Sequence, residues 1–533
     1  DLRWQPTLDQ RREAPVPRVV VSRERDTLPG LEPPPRAELI RMLHSLLGAD
    51  AFRKGMRLYL ARHDGEAATT DDFLRALAEA SGEDLSQFER WYRQAGTPEV
   101  RVSTAYDAQA AACTVTLEQS CAPTPGQDRK EPFHIPFALG LLDQSGRDLP
   151  LRLAGEEKEP GKATTRMLSL RKPKESFRFV GVPEAPIPSL LRSFSAPVKL
   201  RYDYSEEELR FLFAHDPDPF NRWEAGQRLA CRHLLDLIAE HRQGGRLELA
   251  PAFVEPYRAL LAEEDQADRT FVSQLLSLPS EGEVAEEMAV IDVDAVHASR
   301  EFMRQSLARE LRSEWLAAYR QNSAAGPSQF GAAAAGRRRL KNLALAYLLT
   351  LQEEEVQKLA MAQFERADTM TDLLGALRPL AHTDNPHRQE VLAAFYRQWQ
   401  HDPLVLDKWF ALQASAPLPG TLEHVQDLLQ HPAFNIRNPN RVRALIGAFA
   451  ANAVCFHAAD GSGYRLLADQ ILALDRINPQ TAARLAHSLS RWRRYDSRRQ
   501  QLMKAQLERI QEAPRLSRDV YEVTARSLAG SGS

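Results

Sequence analysis

The feature that most constrains the fold is a double change of hydrophobic period. From Ala37 to Pro98 apolar residues recur at three- and four-residue steps, from Glu99 to Lys199 they alternate, and from Leu200 onward the helical spacing returns. A period of 3.6 places apolar side chains along one helix stripe, whereas a period of two places them on one face of a strand. Neither stretch can therefore adopt the other's structure. A chain of 533 residues also exceeds what one core supports, so a multidomain, mainly α architecture with one β-sandwich is expected.

Within the first helical stretch, Leu39, Ile40, Leu43, Leu46 and Leu47 form one stripe, ending at Gly48 as a C-cap. Phe52, Met56, Leu58, Tyr59 and Leu60 form a second, stopped by His63-Asp64-Gly65. Thr70 is the expected N-cap of a third helix, and LSQFERWYRQAG reads as a fourth. Between 99 and 199 the strings EVRVSTAYD, ACTVTLEQSC, HIPFALGLLD, RMLSLR and SFRFVGV alternate between turn clusters. They predict an antiparallel sandwich of short strands, with FSAPVKL as the exit into a new domain. Residues 200–533 read almost wholly as amphipathic helices with short joins, which build a stacked superhelix without a fixed repeat length. Asn438 and Asn478 are natural N-caps, each followed by proline at the first helical position. Residues 1–36, with PGLEPPPR at their end, are expected to be poorly ordered or folded only against something missing.

Charge and cysteine usage exclude several classes. Lys+Arg 69 against Asp+Glu 72 gives a net charge of -3, so nothing draws the chain globally to nucleic acid or anionic lipid. The basic cluster in GAAAAGRRRLK, residues 331–341, lacks interleaved aromatics and reads as a loop entering a solvated helix face. No apolar run approaches the roughly 20 residues that span a bilayer. The first residues carry no apolar signal region, though the sequence begins without Met. Cys113, Cys121, Cys231 and Cys455 include no C-x-x-C pair, and a reducing, cytoplasmic setting with free thiols is expected.

Catalytic chemistry is sparse. None of the 14 histidines is followed by glutamate, and none has a second histidine four residues on, so no H-E-x-x-H zinc helix exists here. His44 and His63 have no partner at ligand spacing and read as packing residues. Gly461-Ser462-Gly463 is too short for a phosphate loop, and Ser189, Ser193 and Ser195 show no G-x-S-x-G elbow. No catalytic residue and no metal ligand is assigned.

Specific strings carry a resemblance. AELIRMLHSLLG, FRKGMRLYLARHDG, ATTDDFLRALAEASG and RWYRQAGTP look like the closing helices of the catalytic domain of the bacterial aminopeptidase N family. HIPFALGLLDQSG and FSAPVKL resemble its immunoglobulin-like domain. DPFNRWEA, MTDLLGAL, LVLDKWFALQA, NPNRVRALIGAFA, DGSGYRLLAD and INPQTAARLA resemble its C-terminal helical domain, all in collinear order. The resemblance implies a gluzincin zinc exopeptidase that removes N-terminal residues from peptides. Residues 37–98 would be the helical end of its thermolysin-like domain, 99–199 its immunoglobulin-like sandwich and 200–533 the α-superhelix capping the active site. The family's zinc ligands lie upstream of Ala37, and where its tyrosine should stand this chain has Pro33-Pro34-Pro35. This portion alone is therefore expected to hold no cofactor and to be inactive, binding peptide substrates only when joined to a catalytic half. The apolar faces of the helices from Glu38 to Arg93 are expected to lie exposed, lacking the catalytic helices they would pack on. Arg443, Gln480 and Arg484 match positions that face the cavity in the family, where guanidinium and amide groups hold a peptide's carboxylate or carbonyls. The alternative reading is a free-standing helical scaffold that binds peptides or a protein partner on its concave face.

Overall fold

Gly48 interrupts α1 (Arg36–His63) with a left-handed φ of 76°, so the helix kinks where the two apolar stripes meet. The computed structural model describes residues 36–124, 126–156, 163–262, 268–323 and 330–529. Residues 1–35, and the expectation attached to them, lie outside the described residues. The chain divides into two units at Leu229–Ala230.

In the first unit, α2 (Thr70–Ser81) is capped one residue earlier than expected. Thr69 accepts from the Asp72 amide, and the Asp72 carboxylate accepts from the Thr69 amide at 3.0 Å, which closes a capping box. Only Arg90–Arg93 of the predicted fourth helix forms α3; turns precede it. The apolar faces are covered in part: Ile40 stays exposed, and Leu46, Leu47, Phe52 and Met56 are half-buried. Leu39, Met42, Leu43, Tyr59, Leu74 and Leu77 are buried, because α1 packs on α2 and on a strand of the sandwich instead. At Gly55 a Cβ would meet Leu77 Cδ2 at 2.5 Å, so this glycine permits the close approach of α1 and α2. Trp91 is buried and donates from Nε1 to the His134 carbonyl at 2.9 Å, fastening α3 to the sandwich.

The sandwich comprises β1 (Glu99–Asp107), β2 (Ala112–Ser120), β3 (Ile135–Leu142), β4 (Arg166–Leu170), β5 (Lys174–Val180), β6 (Ile187–Leu190) and β7 (Lys199–Arg201). One sheet runs β5-β2-β1-β7 and the other β4-β3-β6. The pairings are antiparallel except one: β7 lies parallel to β1, with Glu99 opposite Lys199. Every residue of β3 is buried, so its sequence reads as a continuous apolar run and not an alternation. All four cysteines are free, and burial pushes the Cys113 thiol up to about 11.

Between β6 and β7 the backbone is strained. Leu191, Ser193 and Phe194 adopt φ of 57°, 54° and 50°, a region that residues with a Cβ avoid. Arg192 holds the segment from within. Its guanidinium donates to both Asp148 carboxylate oxygens at 2.9 and 2.6 Å, to Ser189 Oγ at 2.9 Å and to Thr165 Oγ1 at 2.8 Å. Asp216, also buried, lies 3.7 Å away, and burial raises its carboxyl to about 6. Gly140 makes room for this guanidinium, since a Cβ there would sit 2.0 Å from Arg192 Cζ. Arg41 of α1 donates to the Ser193 and Phe194 carbonyls, so the strained loop is gripped from outside as well.

Helices follow: α4 (Glu206–His215), then α5 (Pro219–Arg242), within which the two units divide. The second unit continues through α6 (Pro251–Ala262), α7 (Arg269–Leu275), α8 (Glu281–Glu286), α9 (Val293–Glu310), α10 (Arg312–Gln321), α11 (Ala332–Leu348), α12 (Glu354–Arg366) and α13 (Met370–His382). It ends with α14 (Arg388–Trp399), α15 (Pro403–Ala414), α16 (Thr421–Leu429), α17 (Pro439–Val442), α18 (Ala448–Ala450), α19 (Ala453–Phe456), α20 (Ser462–Asp475), α21 (Pro479–Ala486), α22 (Ser497–Gln511) and α23 (Arg518–Ala529). Many helices pack on the next one or two in sequence, as in a helical stack, whereas α6 packs on α10 and α7 on α11. Polar ties fix the stack. Lys341 Nζ meets Asp372 at 2.7 Å between α11 and α13, and Arg499 of α22 reaches Asp294 of α9 at 2.7 Å.

Candidate functional site

Asn438 and Asn478 cap α17 and α21 as their sequence implies, each with proline at the first helical position. These caps place the three candidate residues. Arg443 follows α17 and opens a π-helical turn, Arg443–Gly447; such turns recur at functional sites. Gln480 and Arg484 stand one helical turn apart on α21, so they share a face. All three side chains are exposed, and none makes a hydrogen bond or ion pair to the described residues. Gln480 and Arg484 form one polar pair; Arg443 belongs to a different helix, and no bond links it to them.

Two residues before Arg443, Arg441 behaves differently. It is buried, pairs with Asp407 of α15 at 2.7 Å and lies over the Phe410 ring at 5.1 Å. Arg441 therefore holds α17 to α15 and leaves Arg443 free to point outward. Sequence reasoning missed this division, because nothing local distinguishes two arginines in NRVR.

A second feature had no sequence signal. A groove of about 380 Å³ opens between the turn before α14 and the loop before α16, lined by Asp384, Arg388, Leu418, Gly420 and His424 among others. Gly420, at φ 79°, turns the chain into α16, and open space where its Cβ would stand keeps the groove clear.

Among the described residues, no group of three His, Cys, Asp or Glu side chains is arranged to hold a metal ion. The residues present do not fit the zinc that the family resemblance implies. His457, for one, is unsuited to ligation. Its Nδ1 is taken by the Tyr464 hydroxyl at 2.8 Å, its ring stacks on Tyr495, and burial drives its pKa down to about 3.

Comparison with known proteins accounts for the order of these parts. Residues 36–92 match the peptidase family M1 domain, 96–203 a domain of unknown function (DUF3458) with an Ig-like fold, and 206–529 a domain of unknown function (DUF3458_C) built of ARM repeats. Over 496 residues the chain is 41% identical to aminopeptidase N of Escherichia coli strain K12, covering 92% of this chain and 56% of that relative. The chain belongs to the aminopeptidase N family. Aminopeptidase N of Caulobacter vibrioides is 43% identical over 493 residues, covering 92% of this chain and 55% of the relative. A crystal structure of Legionella pneumophila aminopeptidase A in complex with aspartic acid superposes with a TM-score of 0.81 at 30% identity, covering 92% of this chain and 56% of that one. The chain thus spans about half the length of the relatives it matches, and corresponds to the C-terminal portion of the aminopeptidase N enzyme. No helix among the described residues is long and apolar enough to cross a membrane.

Proposed function

We propose that this chain is the non-catalytic portion of a zinc aminopeptidase, with its C-terminal helices capping an active site supplied by another polypeptide segment. The observation that carries this reading is the collinear similarity to aminopeptidase N across 92% of the chain. In this reading the sandwich is the spacer and residues 200–533 the cap. Arg443, Gln480 and Arg484 are exposed donors without internal partners, so they are available to a peptide's carbonyls or terminal carboxylate.

The test is reconstitution. Alone, the chain should bind no stoichiometric zinc and cleave no alanyl chromogenic substrate. Mixed with a separately produced catalytic half, it should restore peptide cleavage. In that complex Arg443→Ala and Arg484→Ala should each lower kcat/KM for a tetrapeptide by about tenfold, and for a small alanyl amide by less than about twofold. Only the longer substrate extends far enough to meet these side chains. Equal losses on both substrates, measured side by side, would remove them from the site.

A further inference from the structure

The groove beside α14 and α16 carries two opposite charges that do not satisfy one another. Asp384 lies in the turn before α14 and Arg388 is its first residue; both line the groove, yet no ion pair joins them. The Asp384 carboxylate makes no hydrogen bond or salt bridge to the described residues. Arg388 is half-buried and uses only Nε, which donates to the Ala381 carbonyl at 2.9 Å. That bond fixes the side chain and leaves both terminal guanidinium nitrogens for a ligand. Burial lowers the Arg388 pKa, with Asp384 opposing the shift, so the two charges sense each other across the open space.

The opposite wall adds an acceptor of defined identity. Gln413 donates through Nε2 to the Trp409 carbonyl at 3.0 Å, so its Oε1 faces His424 Nε2, 2.7 Å away, and must accept. His424 therefore carries its proton on Nε2 and presents a bare Nδ1. Burial and the nearby Arg388 lower the His424 pKa, which keeps the ring neutral at pH 7. Leu418 and Pro419 supply an apolar stretch of wall between these polar groups. The groove thus offers an anchored cation, a free carboxylate, a neutral acceptor and an aliphatic patch. Its volume of about 380 Å³ lies at the small-ligand end of known binding sites.

We propose that this groove is a binding site for a zwitterionic aliphatic α-amino acid, its carboxylate held by Arg388 and its ammonium by Asp384 and His424. A lone carboxylate or a lone amine would leave one charge of the groove unanswered. A zwitterion meets both, with its side chain against Leu418 and Pro419. The site lies wholly within the helical unit, so it does not require the peptidase reading to hold.

Equilibrium dialysis of the full chain with labelled L-leucine, N-acetyl-L-leucine and L-leucinamide tests this directly. L-leucine should bind saturably at millimolar or tighter affinity, and each blocked analogue about tenfold or more weakly, because each leaves one charge of the groove unanswered. Asp384→Asn, an exposed substitution that should leave folding untouched, should weaken L-leucine about tenfold and abolish the discrimination against N-acetyl-L-leucine. Arg388→Lys should weaken L-leucine and leave L-leucinamide unchanged. Equal binding of all three compounds, absence of saturable L-leucine binding at millimolar concentration, or indifference to Asp384→Asn would each overturn the proposal. The readout is binding by this chain alone, so failure of peptidase reconstitution would leave the result interpretable.

Discussion

Arg192→Ala is expected to destabilise the first unit by about 3–5 kcal/mol, read as a lower urea midpoint with unchanged slope. The substitution removes the cation from Asp148 and Asp216, two carboxylates held where water does not reach them well. It also releases Ser189 and Thr165 and leaves the left-handed backbone at Leu191 and Ser193 without its internal brace. Lysine keeps the charge but cannot make the forked bond to Asp148, so Arg192→Lys should recover only part of the loss. Gly140→Ala supplies an independent check. It alters no charge, yet its methyl would overlap the guanidinium, and a cost of about 1–3 kcal/mol is expected from overpacking. In the Arg192→Ala background the same methyl has nothing to strike. The two effects should therefore be strongly non-additive, and simple additivity in a double-mutant cycle would disprove the arrangement.

The second unit should lose stability as pH falls below neutrality. His457 and His382 have pKa values lowered by burial to about 3 and about 4, from an ordinary value of 6.5. Their folded forms resist protonation while the unfolded chain accepts it. Stability is therefore complete above pH 6.5 and declines as pH falls toward the folded values. His457 alone should remove about 2 kcal/mol between pH 6.5 and 5, and half-buried His382 somewhat less. Protonation would oblige the bond between His457 Nδ1 and the Tyr464 hydroxyl to run from the ring to the hydroxyl oxygen. His457→Asn, which retains an acceptor for Tyr464, should flatten the pH dependence over that interval by about 1.4 kcal/mol per pH unit. The same loss of stability from pH 7 to pH 5 in His457→Asn and in the parent chain, measured by chemical denaturation, would show that the ring is protonated in the folded state.

How far the sequence could be read depended on whether a feature is local. Periodicity exposed the helix–sandwich–helix order, and Asn-Pro pairs located the starts of α17 and α21, because capping is decided within a few residues. The cap of α2 slipped by one, since Thr69 and Thr70 are equally good caps in isolation and only the reciprocal bond to Asp72 chooses between them. The parallel pairing of β7 with β1 joins residues about a hundred apart and leaves no trace in either string. The helices from Glu38 to Arg93 are more buried than expected for a related reason, Ile40 apart: periodicity identifies an apolar face but not what covers it. The groove at Arg388 and His424 was invisible, because its groups come from helices separated by an entire intervening helix.

The pairing of β7 with β1 also makes the sandwich a detour. The polypeptide departs at Glu99 and is back beside its point of departure at Lys199, one strand spacing of about 5 Å away. The segment between those residues leaves and returns through a narrow doorway, so lengthening or shortening loops away from the Arg41 and Trp91 contacts need not shift the segments that flank it. The same doorway is held by only a few backbone bonds between β1 and β7. Force that draws the flanking segments apart would load those bonds in shear before it reached the core.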